Sequence, residues 1–210
     1  MSEPTLQDRF HLIGIGGAGM SVVAELLASR GATVEGSDRE ESPVLEHLRS
    51  VGVRAFVGHE ASHVDPSSVV VVSTAIREDN PELAVARERG QRVIHRSQAL
   101  ALAASGMRFV GVAGAHGKTT TSGMLAIGLS ACGLDPSVAV GGVLPQLGTG
   151  AHLGGGDVFV AEADESDGSF LNYTPAIEIV TNVEPDHLDR YHSREEFEEI
   201  FVEFARRMVP

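Results

Sequence analysis

The sequence is poor in several residue types, and each scarcity narrows the class of protein that it can encode. Among 210 residues there is one cysteine, Cys132, so an internal disulfide is excluded and a reducing compartment is expected. No apolar run approaches the ~20 residues that span a bilayer, and the first residues lack the basic and apolar regions of a signal peptide. We therefore expect a cytoplasmic protein without membrane insertion.

Basic residues are outnumbered, with 16 Lys and Arg against 29 Asp and Glu and a formal net charge of −13. A nucleic-acid or membrane-surface partner would need a basic face, so we predict no nucleic-acid partner. A phosphorylated ligand stays compatible with this charge, because local loops and Mg²⁺ can hold phosphates on an acidic protein.

Short apolar runs alternate with helical patterns along the whole chain, which is typical of βαβ units and parallel sheets. The pattern begins with a strand over residues 10–15 and restarts at 108–113, after Ser105-Gly106. We therefore predict an α/β protein with a Rossmann-like parallel-sheet domain over residues 1–106. A P-loop parallel-sheet ATPase domain, expected to be incomplete, follows over 107–210, and its glycine-rich residues 141–142 and 148–156 are predicted to form a mobile stretch.

Residues 14–19 read GIGGAG and match G-x-G-x-x-G between a predicted strand and a predicted helix. Glycines at these positions allow a tight turn and let backbone N–H groups approach a diphosphate at the helix N-terminus. Asp38 ends the second predicted strand, where a carboxylate can bond a ribose hydroxyl. The motif predicts a diphosphate-linked nucleoside without distinguishing NAD from a UDP-sugar, and a purely structural glycine turn is the alternative.

The single lysine of the chain, Lys118, lies in a second glycine loop, residues 114–121, which read GAHGKTTT. An ammonium is a compact charge on a flexible stem and can follow a phosphoryl group. The preceding strand and following helix favour a phosphate cradle, although Val112 occupies the first glycine position of the standard G-x-x-x-x-G-K-[ST]. We expect Lys118 to meet the β- and γ-phosphates of ATP and Thr119 to bind Mg²⁺.

Two polar segments follow predicted strands in the second half of the chain. Residues 162–167 read EADESD, and such crowded carboxylates repel one another unless a cation is present, with Mg²⁺ preferring hard oxygen ligands. A solvated acidic turn is the alternative. Residues 181–189 read TNVEPDHLD; here His187 could ligate a metal, although residue type alone favours an ordinary loop histidine.

Taken in order, these segments resemble the Mur ligase family over nearly the whole chain. The resemblance is carried by residues 14–21, 36–38, 73–76, 80–82, 113–121, 163–171, 181–182 and 186–189. The shortened phosphate loop is the form that this family uses, although Ala115 and Thr74 stand where the family usually has threonine and serine. The form of the first loop favours members that act on UDP-N-acetylmuramate and L-alanine.

The resemblance implies an ATP-dependent ligase of peptidoglycan precursor synthesis, with ATP and Mg²⁺ as cofactors. ATP would phosphorylate the lactyl carboxylate of UDP-N-acetylmuramate, and the amine of L-alanine would then displace phosphate from the acyl phosphate. The implied ATP-binding residues are Gly114, Ala115, His116, Gly117, Lys118, Thr119 and Thr120. The implied UDP-sugar-binding residues are Gly16, Gly17, Ala18, Gly19, Met20, Asp38, His59 and Ser73. The implied catalytic residues are Lys118, His116, Asp164, Glu165 and Ser166, and the implied metal ligands are Thr119, Glu162 and His187, with Glu162 favoured over Glu165.

Members of the family carry a third domain, so the resemblance implies that the C-terminal ligase domain is absent here and that the 210-residue chain is inactive alone. One alternative is a UDP-sugar-binding module without turnover. Another is an NAD(P)-linked oxidoreductase, which would use the first loop and Asp38 but leaves Lys118 unexplained. A sibling ligase that reattaches recycled muropeptide uses the same sugar nucleotide. Amino-acid selectivity and oligomeric state are left open by the sequence.

Overall fold

The structure is a computed structural model that describes residues 3–184, 191 and 193–209. The chain divides into two compact units, Met1–Ala103 and Ala104–Pro210. This division lies close to Ser105-Gly106, where the strand pattern of the sequence restarts. None of the helices in the described part of the chain is both long and apolar enough to cross a membrane.

The first unit alternates strands and helices around one parallel sheet. Its elements are β1 (Arg9–Ile13), α1 (Ala18–Ser29), β2 (Thr33–Asp38), α2 (Pro43–Ser50), β3 (Arg54–Val57), β4 (Val69–Val72), α3 (Pro81–Glu88), β5 (Val93–His95) and α4 (Arg96–Ala103), with a 3₁₀ turn at Ala61–His63. The strand order is β3-β2-β1-β4-β5, and the neighbouring strands pair in parallel. The order reverses between β1 and β4, and such a switch point opens a ligand crevice at the carboxyl ends of the strands.

Burial and helix capping account for these elements. β4 consists of four valines, which suits a strand covered on both faces. Helix α3 begins after Asn80, whose side chain accepts hydrogen bonds from the backbone N–H groups of Glu82 and Leu83. One face of the sheet packs a core of Ile13, Val64, Val70, Leu83 and Ala86.

The second unit is built in the same alternating way but contains a mixed sheet. Its elements are β6 (Arg108–Ala113), α5 (Lys118–Ala131), β7 (Ser137–Leu144), β8 (Thr149–His152), β9 (Val158–Glu162), β10 (Ile177–Val180) and α6 (Arg194–Ala205), with a 3₁₀ turn at Ser169–Asn172. The strand order is β10-β6-β9-β7-β8, with β7 and β8 antiparallel and the other pairs parallel. The predicted α/β class is confirmed, and the second sheet is mixed rather than purely parallel.

Part of the glycine-rich stretch at 141–142 and 148–156 forms the β7–β8 hairpin, and its mobility stays a prediction. Val138 pairs with His152 and Ala139 with Ala151 in this hairpin. A Cβ placed on Gly150 would lie 2.5 Å from the Val140 carbonyl oxygen. The glycine therefore permits a close backbone approach between strands, which composition alone does not distinguish from a loop.

Aromatic side chains form the core that holds α6 in the second unit. Phe170 packs against Phe204 with ring centroids 4.6 Å apart and against Phe201 at 5.6 Å. Phe204 also closes on β6 at Gly111, where a Cβ would lie 3.1 Å from its ring. This core therefore joins α6 to β6 and to the 3₁₀ turn at Ser169–Asn172, which follows the acidic segment.

Candidate functional site

The predicted UDP-sugar residues of the first unit all follow the carboxyl ends of its parallel strands. The glycine loop follows β1, Asp38 ends β2, His59 follows β3, and Ser73 comes directly after β4. Because these strands are parallel, the structure brings the residues to one edge of the sheet, around the switch point between β1 and β4.

The glycine loop after β1 is fixed by the end of β2. The N–H groups of Gly14 and Ile15 both donate to the Ser37 carbonyl, at 2.8 and 2.9 Å, and the Gly16 N–H donates to Asp38 Oδ2 at 2.8 Å. A Cβ on Gly16 would lie 2.9 Å from that oxygen. Asp38 therefore shapes the loop, and its remaining lone pairs leave it able to accept a ligand hydroxyl.

The N-terminus of α1 offers a positive environment for an anion. Gly17 is the N-cap residue, its cap lacks a side-chain hydrogen bond, and the first turn contains no acidic residue. The guanidinium of Arg96 lies against this turn, since a Cβ on Gly19 would be 3.0 Å from Arg96 Nη1. The helix terminus and the guanidinium together suit a diphosphate.

Arg96 is not among the residues predicted from the sequence, although it lies directly after β5, at the same edge of the sheet as the predicted residues. Of the residues predicted in the first loop, Gly17 and Ala18 are exposed, whereas the side chain of Met20 is buried in the core. Met20 can therefore serve a ligand only through its backbone.

The lysine loop of the second unit connects β6 to α5 through two glycines with positive φ. Gly117 is the N-cap residue of α5 with φ 85°, and Gly114 has φ 129°. A Cβ on Gly114 would collide with Thr181 Oγ1, so glycine is required there by conformation and by space. The first helical bond runs from Thr121 N–H to the Gly117 carbonyl at 2.9 Å.

The N–H groups of Lys118, Thr119 and Thr120 precede that first helical bond. A helix leaves such groups without an intrahelical partner, and here they lie at the positive end of the α5 dipole. Thr119 and Thr120 are exposed. A helix N-terminus of this kind suits an anion such as a phosphate.

The middle of the lysine loop is anchored to the end of β10 through the backbone of His116. The His116 carbonyl accepts hydrogen bonds from Thr181 Oγ1 at 2.7 Å and Asn182 Nδ2 at 2.9 Å. Its N–H donates to Asn182 Oδ1 at 3.2 Å. His116 itself is exposed to solvent. The backbone of the loop is therefore held by the residues that follow β10, while the His116 side chain stays accessible.

Lys118 is paired with a buried carboxylate. Its Nζ lies 3.0 and 2.9 Å from the two carboxylate oxygens of Glu165 and donates to the Gly114 carbonyl at 2.6 Å. Glu165 is fully buried, whereas 17% of the Lys118 side chain is exposed. The three hydrogens of the ammonium thus have three protein acceptors, and a phosphate would have to share or replace them.

The two predicted metal ligands that the structure describes lie against adjacent residues of β7. Glu162 Oε1 accepts a hydrogen bond from the Gly141 N–H at 3.0 Å, and a Cβ on Gly142 would lie 3.1 Å from Thr119 Cγ2. A hydroxyl and a carboxylate are the hard oxygen donors that Mg²⁺ prefers. Among the residues described, no three His, Cys, Asp or Glu side chains are grouped to hold a metal, and the predicted ligand His187 lies outside them.

The remaining residues of the acidic segment shape its turns. Asp164 Oδ1 accepts from the Ser166 N–H at 3.0 Å, and Asp167 Oδ1 accepts from the Ser169 N–H at 2.8 Å. The Tyr191 hydroxyl donates to the Glu165 carbonyl at 2.6 Å. The acids of this segment therefore have different partners, with Glu162 bound to the Gly141 N–H and Glu165 paired with Lys118.

Two family profiles match the chain. The one described as Mur ligase family, catalytic domain matches residues 9–108, and the one described as Mur ligase middle domain matches residues 112–210. A curated relative, UDP-N-acetylmuramate–L-alanine ligase of Kineococcus radiotolerans, is 54% identical over 205 residues, which cover 96% of this chain and 44% of the relative. The chain thus spans less than half the length of this relative.

Solved structures are similar as well. UDP-N-acetylmuramate-alanine ligase MurC from Thermotoga maritima matches with a TM-score of 0.86 and 33% identity, over 96% of this chain and 48% of that one. UDP-N-acetylmuramate:L-alanyl-gamma-D-glutamyl-meso-diaminopimelate ligase from Neisseria meningitides matches with a TM-score of 0.88 and 28% identity, over 97% of this chain and 69% of that one.

Proposed function

Because this chain belongs to the Mur ligase family, we propose that it supplies the nucleotide-binding units of an ATP-dependent ligase that joins L-alanine to UDP-N-acetylmuramate. Curated relatives of 54% and 52% identity carry the name of that ligase. Among the solved structures the alanine ligase is 33% identical and the L-alanyl-gamma-D-glutamyl-meso-diaminopimelate ligase is 28% identical. The difference in identity supports alanine as the amino acid. The proposed substrates, ATP and a UDP-sugar, place the reaction in the cytoplasm.

The first unit is the proposed UDP-sugar site. Its diphosphate would lie at the N-terminus of α1, against the N–H groups of the loop from Gly16 to Gly19 and the guanidinium of Arg96. Asp38 would accept a ribose hydroxyl while it holds the loop. Residues His59 and Ser73 lie at the same edge and would contact the rest of the ligand.

The second unit is the proposed ATP site, and the pairing of Lys118 with buried Glu165 beside the N-terminus of α5 is the observation that carries this proposal. Backbone N–H groups of residues 118–120 would bind phosphate oxygens, with Gly114, Ala115 and Gly117 shaping the loop. Lys118 would move its ammonium from the Gly114 carbonyl toward the γ-phosphate. Glu165 would limit that movement and hold the ammonium near the reacting phosphate.

The residues present fit Mg²⁺. Thr119 and Glu162 offer hard oxygens beside adjacent residues of β7, and His187 would complete the set that the family resemblance implies. When bound, Mg²⁺ would neutralise charge on the phosphates of ATP.

The chemistry follows from the weakness of a carboxylate as an electrophile. A lactyl carboxylate oxygen attacks the γ-phosphorus, the bond to the ADP oxygen breaks, and an acyl phosphate forms. The amine nitrogen of L-alanine then attacks the carbonyl carbon, and the tetrahedral intermediate expels phosphate as the nitrogen loses a proton. The protein contributes mainly positioning and charge neutralisation. Lys118 supplies the charge, exposed His116 lies beside it in the loop, and Asp164 and Ser166 shape the adjoining turn.

The proposal is tested by titrating the chain separately with Mg·ATP and with UDP-N-acetylmuramate. We expect Lys118→Met to weaken ATP binding about 100-fold, which is roughly 2.7 kcal/mol, and to leave the affinity for the UDP-sugar within about twofold. Arg96→Met should produce the opposite pattern, because its guanidinium lies in the other unit. Saturable NAD binding that competes with the UDP-sugar, or unchanged ATP affinity in Lys118→Met, would refute the proposal.

A further inference from the structure

The first unit contains a buried polar cluster that the proposed function does not explain. This Glu82 cluster consists of His11 on β1, Ser37 on β2, His59 after β3, His63 in the 3₁₀ turn, and Glu82 in the first turn of α3. Three of its members, His11, Ser37 and Glu82, are fully buried. Of the five, only His59 belongs to the proposed UDP-sugar site.

The carboxylate of Glu82 is saturated with hydrogen bonds. Oε1 accepts from the Glu60 N–H at 3.2 Å and from His63 Nδ1 at 3.3 Å. Oε2 accepts from Ser37 Oγ at 2.5 Å and from His11 Nε2 at 3.1 Å. A carboxylate offers about four acceptor sites, so four donors fill it, and the group is held as an anion.

The direction of its pKa agrees with this geometry. Burial by itself would raise the pKa of Glu82, but the hydrogen bonds from His11 and Ser37 outweigh burial and lower the pKa below its ordinary value. The carboxylate is therefore ionised when the chain is folded at neutral pH.

The saturated carboxylate fixes the direction of the next hydrogen bond. Because an ionised carboxylate can only accept, the single hydrogen of the Ser37 hydroxyl points to Glu82. The Ser37 oxygen can then only accept from His59 Nδ1, which lies 2.7 Å away. The direct distance from His59 Nδ1 to Glu82 Oε2 is 3.7 Å, which is too long for a hydrogen bond.

We propose that Glu82 is a positioning residue that acts through Ser37 to keep a proton on Nδ1 of His59, so that in the tautomer with one ring proton Nε2 accepts a hydrogen bond from a hydroxyl or N–H group of the bound nucleotide sugar. The inference rests on the proposed UDP-sugar site for its ligand, whereas the tautomer follows from protein contacts alone.

The location of His59 supports this role. Its neighbour Gly58 donates to the Asp38 carbonyl at 2.7 Å, which ties the residue to the strand end that holds the glycine loop. The His59 side chain keeps 16% of its surface exposed, while Nδ1 faces the cluster. An unprotonated Nε2 repels a phosphate oxygen, which carries no hydrogen, and selects a ribose, sugar or base donor.

The tautomer can be measured by long-range ¹H–¹⁵N NMR of the full chain at about pH 8.5, roughly two units above the ordinary imidazole pKa. We expect the Nδ1–H form of His59 in the unmodified chain. Ser37→Ala removes the acceptor of that proton, so the ratio of Nδ1–H to Nε2–H should fall at least threefold. In Glu82→Gln the amide can donate to Ser37, which reverses the relay and should shift the ratio in the same direction.

Glu35→Gln is the matched control. Glu35 is buried and faces His11, with 3.8 Å between Glu35 Oε1 and His11 Nδ1, but it does not contact Ser37 or His59 among the residues described. The His59 tautomer should therefore be unchanged in this variant. A wild-type spectrum in Ser37→Ala would overturn the relay even if Glu82→Gln does not fold.

Titration with UDP-N-acetylmuramate tests the second half of the inference. We expect Ser37→Ala and Glu82→Gln to weaken binding about tenfold and Glu35→Gln to change it by less than about twofold. If the unmodified chain does not bind the UDP-sugar, the proposed site fails, while the spectra still decide the relay. If the unmodified chain binds and Ser37→Ala changes the tautomer without changing the affinity, the role of His59 Nε2 is refuted.

Discussion

Each unit of the protein contains a fully buried glutamate whose carboxylate accepts hydrogen bonds, and the donors differ between the two units. Glu82 in the first unit accepts four hydrogen bonds, all from groups on short or rigid side chains and backbone. Glu165 in the second unit has its two oxygens paired with one flexible ammonium, that of Lys118.

This difference shows how the donor decides what a buried carboxylate can do. The donors to Glu82 are fixed by strands β1 and β2 and by the 3₁₀ turn, so they cannot leave without unfolding that region. The ammonium of Lys118 lies at the end of a four-carbon stem, and part of the side chain is exposed. Glu82 is therefore held by fixed donors, whereas Glu165 is paired with an ammonium that, in the proposed function, shifts toward a phosphate while Glu165 keeps it close.

The largest expected difference between the two glutamates is in the loss of stability when each carboxylate is removed. We expect Glu82→Ala to destabilise the first unit by about 3–5 kcal/mol, because it leaves buried His11 and Ser37 without their acceptor. Glu165→Ala should cost the second unit only about 1–2 kcal/mol, since the partly exposed Lys118 can turn to water. Urea denaturation followed by NMR signals of each unit measures both. Equal losses in the two variants would contradict the distinction.

The two glycine loops should differ in the opposite direction, with the larger loss of stability in the second unit. Gly114→Ala is expected to cost about 2–3 kcal/mol, because residue 114 has φ 129° and an added Cβ would collide with Thr181. Gly17→Ala should cost less than about 1 kcal/mol, since Gly17 has φ −63° and its Cβ would be 3.3 Å from the Gly14 carbonyl oxygen. The unfolding free energies of the two variants provide the check, and a larger loss for Gly17→Ala would disprove the comparison.

The smallest expected effect is a dependence of first-unit stability on pH. Burial alone would lower the pKa of His11, but the negative charges of Glu35 and Glu82 and the hydrogen bond to Glu82 outweigh it and raise this pKa above 6.5. Its contribution to stability is therefore present below about pH 6.5 and is lost as the pH rises through the raised value. The pKa values of Glu35 and Glu82, which burial alone would raise, are lowered below 4.5 by their hydrogen bonds and nearby charges.

Stability from these two carboxylates is present above about pH 4.5 and is lost as the pH falls through the lowered values. His11, Glu35 and Glu82 together should thus stabilise the first unit most between about pH 4.5 and 6.5. Hydrogen exchange of the first-unit amides over a pH series measures this, after correction for intrinsic exchange. In His11→Gln the loss on the alkaline side should disappear, and its persistence would show that another group causes it.

Much of the fold was predictable because its signals are local. A strand, a glycine loop and a helix follow one another within a few residues in both units, and the α/β class is confirmed by β1–α1 and β6–α5. The β7–β8 hairpin was not predictable in the same way, because glycines such as Gly150 carry no side chain to show the alternation of a strand.

The candidate site was predictable in its loops but not in its contacts. The sequence predicts that Asp38 in the first unit, and Lys118 and the acidic segment in the second unit, lie at strand ends. Within each sheet, parallel strands bring such ends to one edge. The sequence contains no signal for the Glu82 cluster, because His11 and Glu82 are 71 positions apart. Arg96 was missed for the same reason, since its neighbour Gly19 belongs to another βα unit.

The order of strands and helices, and hence the edge at which each loop lies, is specified by short stretches of sequence. Backbone hydrogen bonding and the burial of apolar faces respond to residues that are near one another in the chain. The partner of each acid is specified only when the sheets assemble. Within one acidic segment, Glu162 accepts from Gly141 and Glu165 holds Lys118, 47 positions away, because pairing of charges depends on distance in space and on the exclusion of water.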